Sequence, residues 1–282
     1  MRLLLALLLG ITVSTTAVAQ DIRDSRGDTS TFAQLVEAAR QVDVVIVGER
    51  HDDLDGQRFQ ERLFAELIGP RFERPYVLSL EMFERDVQGV LDEYLLNVIR
   101  EQDFLAAARP WSNYAESYRA LLETAREAEI PVIAANLPSR YASLVARMGE
   151  ESLASLPDEV WAWLPPMPVE PASDALAARF NRVMGEHAHG AAHGHAPELT
   201  NLLAAQNLRD ATMAWSIAQT LQRQEGTLVF HVTGAFHTND GLGIPEHLAR
   251  YAPEATVLTV ILSSDPEADG AAGDFVVRTS GE

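Results

Sequence analysis

The stretch Val42-Asp43-Val44-Val45-Ile46-Val47-Gly48-Glu49-Arg50-His51 decides the fold class of this 282-residue chain. Its apolar run is typical of a strand that is buried on both faces, and the run ends in a glycine followed by polar residues. A second apolar run, 228–233, is followed by Gly234-Ala235-Phe236-His237 and so repeats the arrangement. Because ligands of parallel α/β sheets bind beyond the carboxyl ends of the strands, we expect Glu49, His51 and His237 to share one rim.

Further apolar runs alternate with segments of helical periodicity along the chain. This alternation predicts an α/β fold with a mainly parallel central sheet flanked by helices. We expect a single domain over 31–263, interrupted by a helical insertion or lid at 141–197 that contains a histidine-rich loop. Residues 20–30 are interpreted as a flexible lead-in and residues 264–282 as a loose tail. The expected strands are 42–47, 76–80, 130–135, 228–233 and 256–262, and the expected helices are 31–40, 53–68, 87–99, 114–129, 198–224 and 245–251.

Residues 1–19 have the pattern of a secretory signal peptide. A basic start and a short apolar run precede Ala17-Val18-Ala19, a typical cleavage site. We therefore expect an exported protein, periplasmic or secreted, that begins near Gln20; the alternative is an uncleaved amphipathic start. The chain has no cysteine, so it is not lipid-anchored through one. No apolar run is long enough to predict a membrane span.

Composition excludes several classes of chemistry. The absence of cysteine rules out disulfides, thiolate metal sites and a cysteine nucleophile, and the absence of lysine rules out P-loop and Schiff-base chemistry. A formal net charge of −19 argues against a nucleic-acid partner. The chain also lacks the G-x-S-x-G, H-E-x-x-H and G-x-G-x-x-G patterns, which disfavours a serine hydrolase, a zincin and a Rossmann dehydrogenase.

Four polar residues that follow expected strands form the first candidate site: Glu49, His51, Glu81 and His237. Carboxylate and imidazole groups are a nitrogen and oxygen ligand set, which suits a divalent metal such as Zn, Mn, Fe or Co. Gly48 and Gly234 are expected to allow the tight turns that aim these side chains. The alternative is that the acids cap loops and pair with Arg50, Arg85 or Arg140.

The remaining candidates belong to four places in the sequence. Two follow the expected strand 130–135, one aromatic precedes it, two lie on the expected long helix 198–224, and four histidines lie in the insertion. Gln206 and Asp210 share a helical face, where they either look into the crevice or form a buried hydrogen-bonded pair. An aromatic such as Tyr118 either stacks on a flat cofactor or covers the sheet edge. The histidine-rich loop either ligates a metal or haem iron or is a solvated spacer. These candidates are Asn136, Arg140, Tyr118, Gln206, Asp210, His187, His189, His193 and His195.

Five ordered blocks resemble the ChaN-like haem-binding proteins and cover roughly residues 42–251. The blocks are Val45 to Asp53, Leu80 to Phe83, Pro131 to Pro138, Ala205 to Ala214, and Gly234 to Pro245. The resemblance implies an α/β fold, haem as cofactor, a homodimer with haem between its subunits, and an exported bacterial protein of iron or haem uptake. Tyr118 and the histidine-rich loop are the haem-ligand candidates.

The wider superfamily is similar to Tiki proteases and erythromycin esterases, in which Glu-x-His and Gly-x-x-His motifs serve metal binding or hydrolysis. In this chain those motifs fall on Glu49, His51 and His237. Two functions follow from the resemblance: an exported haem- or iron-binding protein, or a metal-dependent hydrolase. A scaffold whose strand-end residues only pair with arginines is the third alternative.

Overall fold

The computed structural model describes residues 20–69, 74–188, 198–265 and 272–281, and these form one α/β unit. The strands are β1 (Ile22–Asp24), β2 (Thr29–Ser30), β3 (Val44–Glu49), β4 (Tyr76–Glu84), β5 (Val132–Asn136), β6 (Leu228–Gly234), β7 (Val257–Ser263) and β8 (Phe275–Arg278). The α-helices are α1 (Phe32–Arg40), α2 (Leu54–Leu67), α3 (Gln88–Leu95), α4 (Glu101–Ala108), α5 (Tyr114–Ser117), α6 (Arg119–Glu127), α7 (Ser139–Met148), α8 (Asp174–Ala188), α9 (Leu199–Arg223) and α10 (Ile244–Tyr251).

The described strands form one eight-stranded sheet in the order β2-β1-β8-β7-β3-β6-β4-β5. Every pairing from β8 to β5 is parallel, whereas β1 pairs antiparallel with both β2 and β8. The mainly parallel sheet of the sequence prediction is therefore correct for its centre, and the antiparallel edge was not expected. β3 and β6 are adjacent and parallel, so the two Gly-x-x-His segments leave the sheet side by side.

Two predictions about the ends of the chain were wrong. Residues 20–30 are not a flexible lead-in, because they contribute β1 and β2, and Ile22 is 1% exposed. The tail is not loose throughout, because Phe275–Arg278 forms β8, which pairs with β7 and β1. Both segments are short strands whose ordering comes from the neighbour they pair with, and local sequence composition does not reveal such a neighbour.

The central strand β3 shows why the sheet is covered on both faces. All six of its residues are buried, and alternate side chains point to opposite faces. Val45 and Val47 belong to a core that includes Phe59 and Phe64 of α2. Val44 and Ile46 pack in a second core with residues of α9 and α10. The result is a three-layer arrangement in which the rim beyond β3 and β6 is held between helices.

Several element boundaries differ from the sequence prediction. β4 continues to Glu84, so Glu81 lies within the strand and does not follow it. The expected helix 87–99 ends at Leu95. Asn97, two residues later, adopts a left-handed backbone conformation, and a separate helix α4 follows. The expected helix 114–129 is divided at Tyr118 into α5 and α6.

The described part of the insertion packs on the long helix α9. Leu137, Tyr141, Val145 and Leu164 form a small core with Leu208 and Ala211 of α9. Arg179 of α8 donates to the backbone carbonyls of Phe236 and Asn239, next to the second Gly-x-x-His segment.

Within the described residues, no helix is both long enough and apolar enough to cross a membrane.

Candidate functional site

The outer part of the rim is a hydrogen-bonded group of Glu49, His51 and Tyr118. Glu49 is the last residue of β3, and its side chain is 1% exposed, whereas that of His51 is 44% exposed. The Nδ1 atom of His51 lies 3.1 Å from Glu49 Oε1 and 3.2 Å from the Tyr118 hydroxyl, which donates to the same carboxylate. The His51 ring also contacts Trp111 edge-on, with ring centroids 4.3 Å apart. One imidazole nitrogen is thus held, while Nε2 makes no hydrogen bond to any described residue.

The turn after β3 fixes the backbone of His51. Asp53 caps α2 by accepting from Gly56 N, which places the first residue of the helix three residues after His51. Gln57 Nε2 and Asn113 Nδ2 both donate to the carbonyl oxygen of His51, at 2.9 and 2.6 Å. The position of His51 is therefore set by α2 and by the segment before α5, not by β3 alone.

The inner part of the rim is a buried group of Glu81, His237 and Asp210. His237 Nε2 lies 3.2 Å from Glu81 Oε1, and His237 Nδ1 contacts Asp210 Oδ1. The other Glu81 oxygen accepts from Thr233 Oγ1 at 2.8 Å and from Gly234 N at 2.7 Å. Gln206 Nε2 lies 3.0 Å from His237 Nδ1. Both ring nitrogens of His237 are thus engaged by carboxylates.

The two strand-end glycines are needed for space and not for an unusual backbone angle. Neither is among the glycines with positive φ. A Cβ on Gly48 would lie 2.6 Å from Thr238 Cγ2 and 3.1 Å from Ala235 Cα, where the ends of β3 and β6 approach. A Cβ on Gly234 would lie 3.0 Å from His51 Nε2 and 3.7 Å from Glu81 Oε2. Gly234 is therefore the point where the outer and inner groups meet.

Burial and neighbouring charges shift the pKa values of the residues in both groups. Burial alone would lower the pKa of His237, but the charges of Glu81 and Asp210 outweigh it and raise that pKa to about 10. Although burial opposes ionisation of Glu81, His237 and the Gly234 N–H hold the pKa of this carboxyl well below its usual range. Burial raises the pKa of Glu49, more than His51 and Tyr118 can offset. The inner group therefore contains an imidazolium held by ionised Glu81, whereas burial raises the pKa of both Asp210 in the inner group and Glu49 in the outer group.

Glu49, His51, Glu81 and His237 converge around Gly234. Across the described residues, no group of three or more His, Asp or Glu side chains is arranged to hold a metal ion. The physical reason is that a ligating imidazole needs a free ring nitrogen, and His237 has neither nitrogen free. The arginine-pairing alternative does not describe these four residues either, since Arg50 pairs with Asp52 and Arg140 with Asp86.

Other predicted residues divide into those that join the rim and those that do not. Gln206 and Asp210 join it through His237. Asn136 instead accepts from Arg209 at 3.2 Å, and Arg140 is 2.6 Å from Asp86 and lies over Tyr141. His187 is in the last turn of α8, and the predicted ligands His189, His193 and His195 lie outside the described residues.

Tyr118 is present at the site in a role that differs from the predicted one. The side chain of Tyr118 is 1% exposed, and its hydroxyl donates to Glu49. The buried phenol therefore helps to fix the position of the Glu49 carboxylate. Burial, followed by the charge of Glu49, raises the pKa of this phenol.

Sequence reasoning missed Gln57, Asn113 and Thr233. The sequence gives a weak indication that Thr233 belongs to the site, because it is a polar residue in a mostly apolar strand directly before the second motif. Asn113 carries none, since it lies in an irregular segment far along the chain from His51 and its contact exists only in the folded state.

An open groove with a volume of about 360 Å³ adjoins the inner group. It lies between α7, α8 and the first half of α9, and Gln206 lines it as well as contacting His237. Its apolar lining includes Phe180, Met184 and Leu202, and Arg209 is its cation. Arg209 donates to Asn136, and no described carboxylate pairs with it.

The fold resembles several solved structures. ChaN of Campylobacter jejuni, whose structure is described as showing cofacial haem binding, has a TM-score of 0.72 at 19% identity over 93% of this chain and 98% of that one. The type III effector HopBA1 has a TM-score of 0.50 at 13% identity over 93% and 98%. These likenesses establish the fold. No curated protein matches the sequence.

Residues 35–248 match the sequence profile of a family described as "Haem-binding uptake, Tiki superfamily, ChaN". The matched range contains β3 to β6, both Gly-x-x-His segments and every residue of the outer and inner groups. The chain therefore belongs to the ChaN family of haem-binding uptake proteins in the Tiki superfamily.

Proposed function

We propose that this chain is an exported haem-binding protein that serves haem or iron uptake. The observation that carries the proposal is the family match over residues 35–248, because it includes the whole strand-end rim. The haem-bound ChaN of Campylobacter jejuni, which has the same fold, supports haem as the ligand. Export rests on the signal-peptide pattern of residues 1–19.

His51 fits the role of iron ligand within this proposal. Metal-binding histidines commonly donate one ring N–H to a carboxylate, which fixes the ring and leaves the other nitrogen for the metal. His51 has this arrangement, with Nδ1 held by Glu49 and Nε2 free of hydrogen bonds to the described residues. Its side chain is 44% exposed, so the ring is open to solvent on part of its surface.

The groove beside the inner group offers two further features that suit haem. A porphyrin buries apolar area, and the groove offers Phe180, Met184 and Leu202 for such contacts. Haem also carries carboxylates, and Arg209 lies in the groove without a described carboxylate partner. The hydrolase alternative has no comparable support, because the rim lacks a metal-ligand arrangement among the described residues.

Haem titration of the purified chain tests the proposal through the Soret band. The wild type is expected to bind haem, and His51→Ala is expected to bind at least about 100-fold more weakly or to lose the ligated spectrum. Glu49→Gln retains the imidazole but weakens its orientation, so a loss of about tenfold is expected. Circular dichroism of each variant checks that the fold is retained.

Different outcomes of this experiment test haem binding by the chain and the role of His51 as the iron ligand. A wild-type chain that shows no Soret change would remove the proposed function. A His51→Ala variant that binds haem as tightly as the wild type, with the same spectrum, would retain the function and remove His51 as the ligand.

A further inference from the structure

A second pocket lies away from the rim, along the free edge of the sheet. It has a volume of about 380 Å³ and is bounded by the backbone of β5, by α3 and by the second half of α9. Its charged lining residues are Arg85, Arg223 and Asp92. None of its lining residues belongs to the outer or inner group, so the rim chemistry does not account for it.

Arg85 is a largely buried cation with neutral partners. It follows β4 directly, and its guanidinium donates to Ser216 Oγ, to Gln219 Oε1 at 3.0 Å and to the carbonyl of Ala162 at 3.3 Å. No carboxylate in the described part of the chain pairs with it, and its Nε is buried without a hydrogen-bond partner there. Buried charges are normally paired, because removing a charge from water is costly.

A second arginine increases this imbalance. Arg223 lies one helical turn after Gln219 on α9 and also lines the pocket. Burial, and then repulsion from Arg223, lowers the pKa of Arg85 to about 10. This is unexpected in a chain with 41 acidic residues and only 22 basic ones, where the exposed Arg109 contacts both Glu84 and Asp86.

The opposite side of the pocket is neutral or weakly acidic. Gln88 uses its amide to cover the edge of β5, donating to Val132 O and accepting from Ala134 N. The same amide nitrogen donates to Asp92 Oδ1 at 2.8 Å. The Asp92 carboxylate is therefore bonded to Gln88 of its own helix. Neither Arg85 nor Arg223, at the other end of the pocket, pairs with a described carboxylate.

We propose that the pocket between α3, β5 and α9 binds a small oxyanion, a phosphate or a carboxylate, at its Arg85–Arg223 end. Such an anion supplies the counter-charge that the described residues do not provide. Guanidinium groups are well suited to both anions because their planar N–H groups match carboxylate and phosphate oxygens.

The test is calorimetric titration of the full chain with inorganic phosphate and, separately, with acetate, at constant ionic strength in chloride. The two arms distinguish the phosphate and carboxylate forms of the ligand. Arg223→Gln changes an exposed residue and is expected to weaken binding about tenfold, the loss expected for one charged contact. Arg85→Gln is expected to abolish binding, and Arg182→Gln, an exposed arginine of α8, is the matched control that leaves it unchanged.

Binding that depends on Arg223 and not on Arg182 supports the proposal. If neither anion binds the wild type, or if Arg223→Gln binds with wild-type affinity, the pocket is not an anion site. Because Arg223 is exposed, its variant gives a result even if Arg85→Gln does not fold.

Discussion

The two Gly-x-x-His segments have similar sequences and leave adjacent parallel strands, yet their histidines have opposite environments. The His51 side chain is 44% exposed and has one ring nitrogen free of hydrogen bonds to the described residues. The His237 side chain is 9% exposed, with a carboxylate on each ring nitrogen. A repeated motif therefore produced one available imidazole and one buried ion pair. The difference comes from what packs on each: Trp111 beside His51, and α9 with Asp210 beside His237.

The largest expected effect separates the two histidines by stability. His237→Ala leaves Glu81 and Asp210 buried without their shared cation, so we expect a loss of about 3–5 kcal/mol in the free energy of unfolding. His51→Ala changes a half-exposed residue and is expected to cost less than about 1 kcal/mol. Urea unfolding of both variants measures the difference. Equal losses would show that the buried ion pair is no more important to the fold than the outer group.

The pH dependence of stability sharpens the same comparison. The pKa of His237 in the folded chain, about 10, lies above its ordinary value of 6.5. Its contribution is therefore complete below about pH 6.5 and is lost as the pH rises through about 10. We expect the melting temperature to fall across this window in the wild type and to fall less in His237→Gln. Parallel curves for the two proteins would contradict the assignment.

The two glycines provide the next contrast. Gly48→Ala brings a Cβ against Thr238 and the backbone of Ala235, so we expect a loss of about 1–3 kcal/mol in stability. Gly234→Ala meets the His51 imidazole, which is half-exposed and can move, so its cost is expected below about 1 kcal/mol. Moving that ring should instead weaken haem binding, by about tenfold. A Gly234→Ala variant with unchanged haem affinity would argue that His51 is not at the ligand.

The smallest expected effect concerns the histidine-rich loop. Replacing His187, His189, His193 and His195 with alanine is expected to change the free energy of unfolding by no more than about 0.5 kcal/mol. Haem affinity should weaken, but less than in His51→Ala, since His51 is the proposed ligand. Haem titration and urea unfolding of the fourfold variant give both values. Unchanged haem affinity would make the loop a spacer, and a loss larger than that of His51→Ala would move the iron ligand from the rim to the loop.

The sequence by itself determined the fold class and the shared rim. Apolar runs such as Val44–Val47 require burial on both faces, and parallel strands deliver the residues after them to one edge. The convergence of Glu49, His51 and His237 therefore follows from the order of strands and polar residues along the chain, whereas Glu81 reaches the same rim from within β4. The helical spacing of Gln206 and Asp210 also indicated that they share one face of α9. The structure shows that this face contacts the rim through His237.

Only the tertiary structure decided what these residues do there. Whether an imidazole is free or locked depends on side chains contributed by distant elements, such as Asp210 for His237 and Tyr118 for His51. The same holds for Arg140, which pairs with Asp86, and for the strands at both ends of the chain. Local patterns fix which residues are buried or exposed along one element, whereas pairing and pKa depend on the distances between elements, and those exist only once the chain is packed.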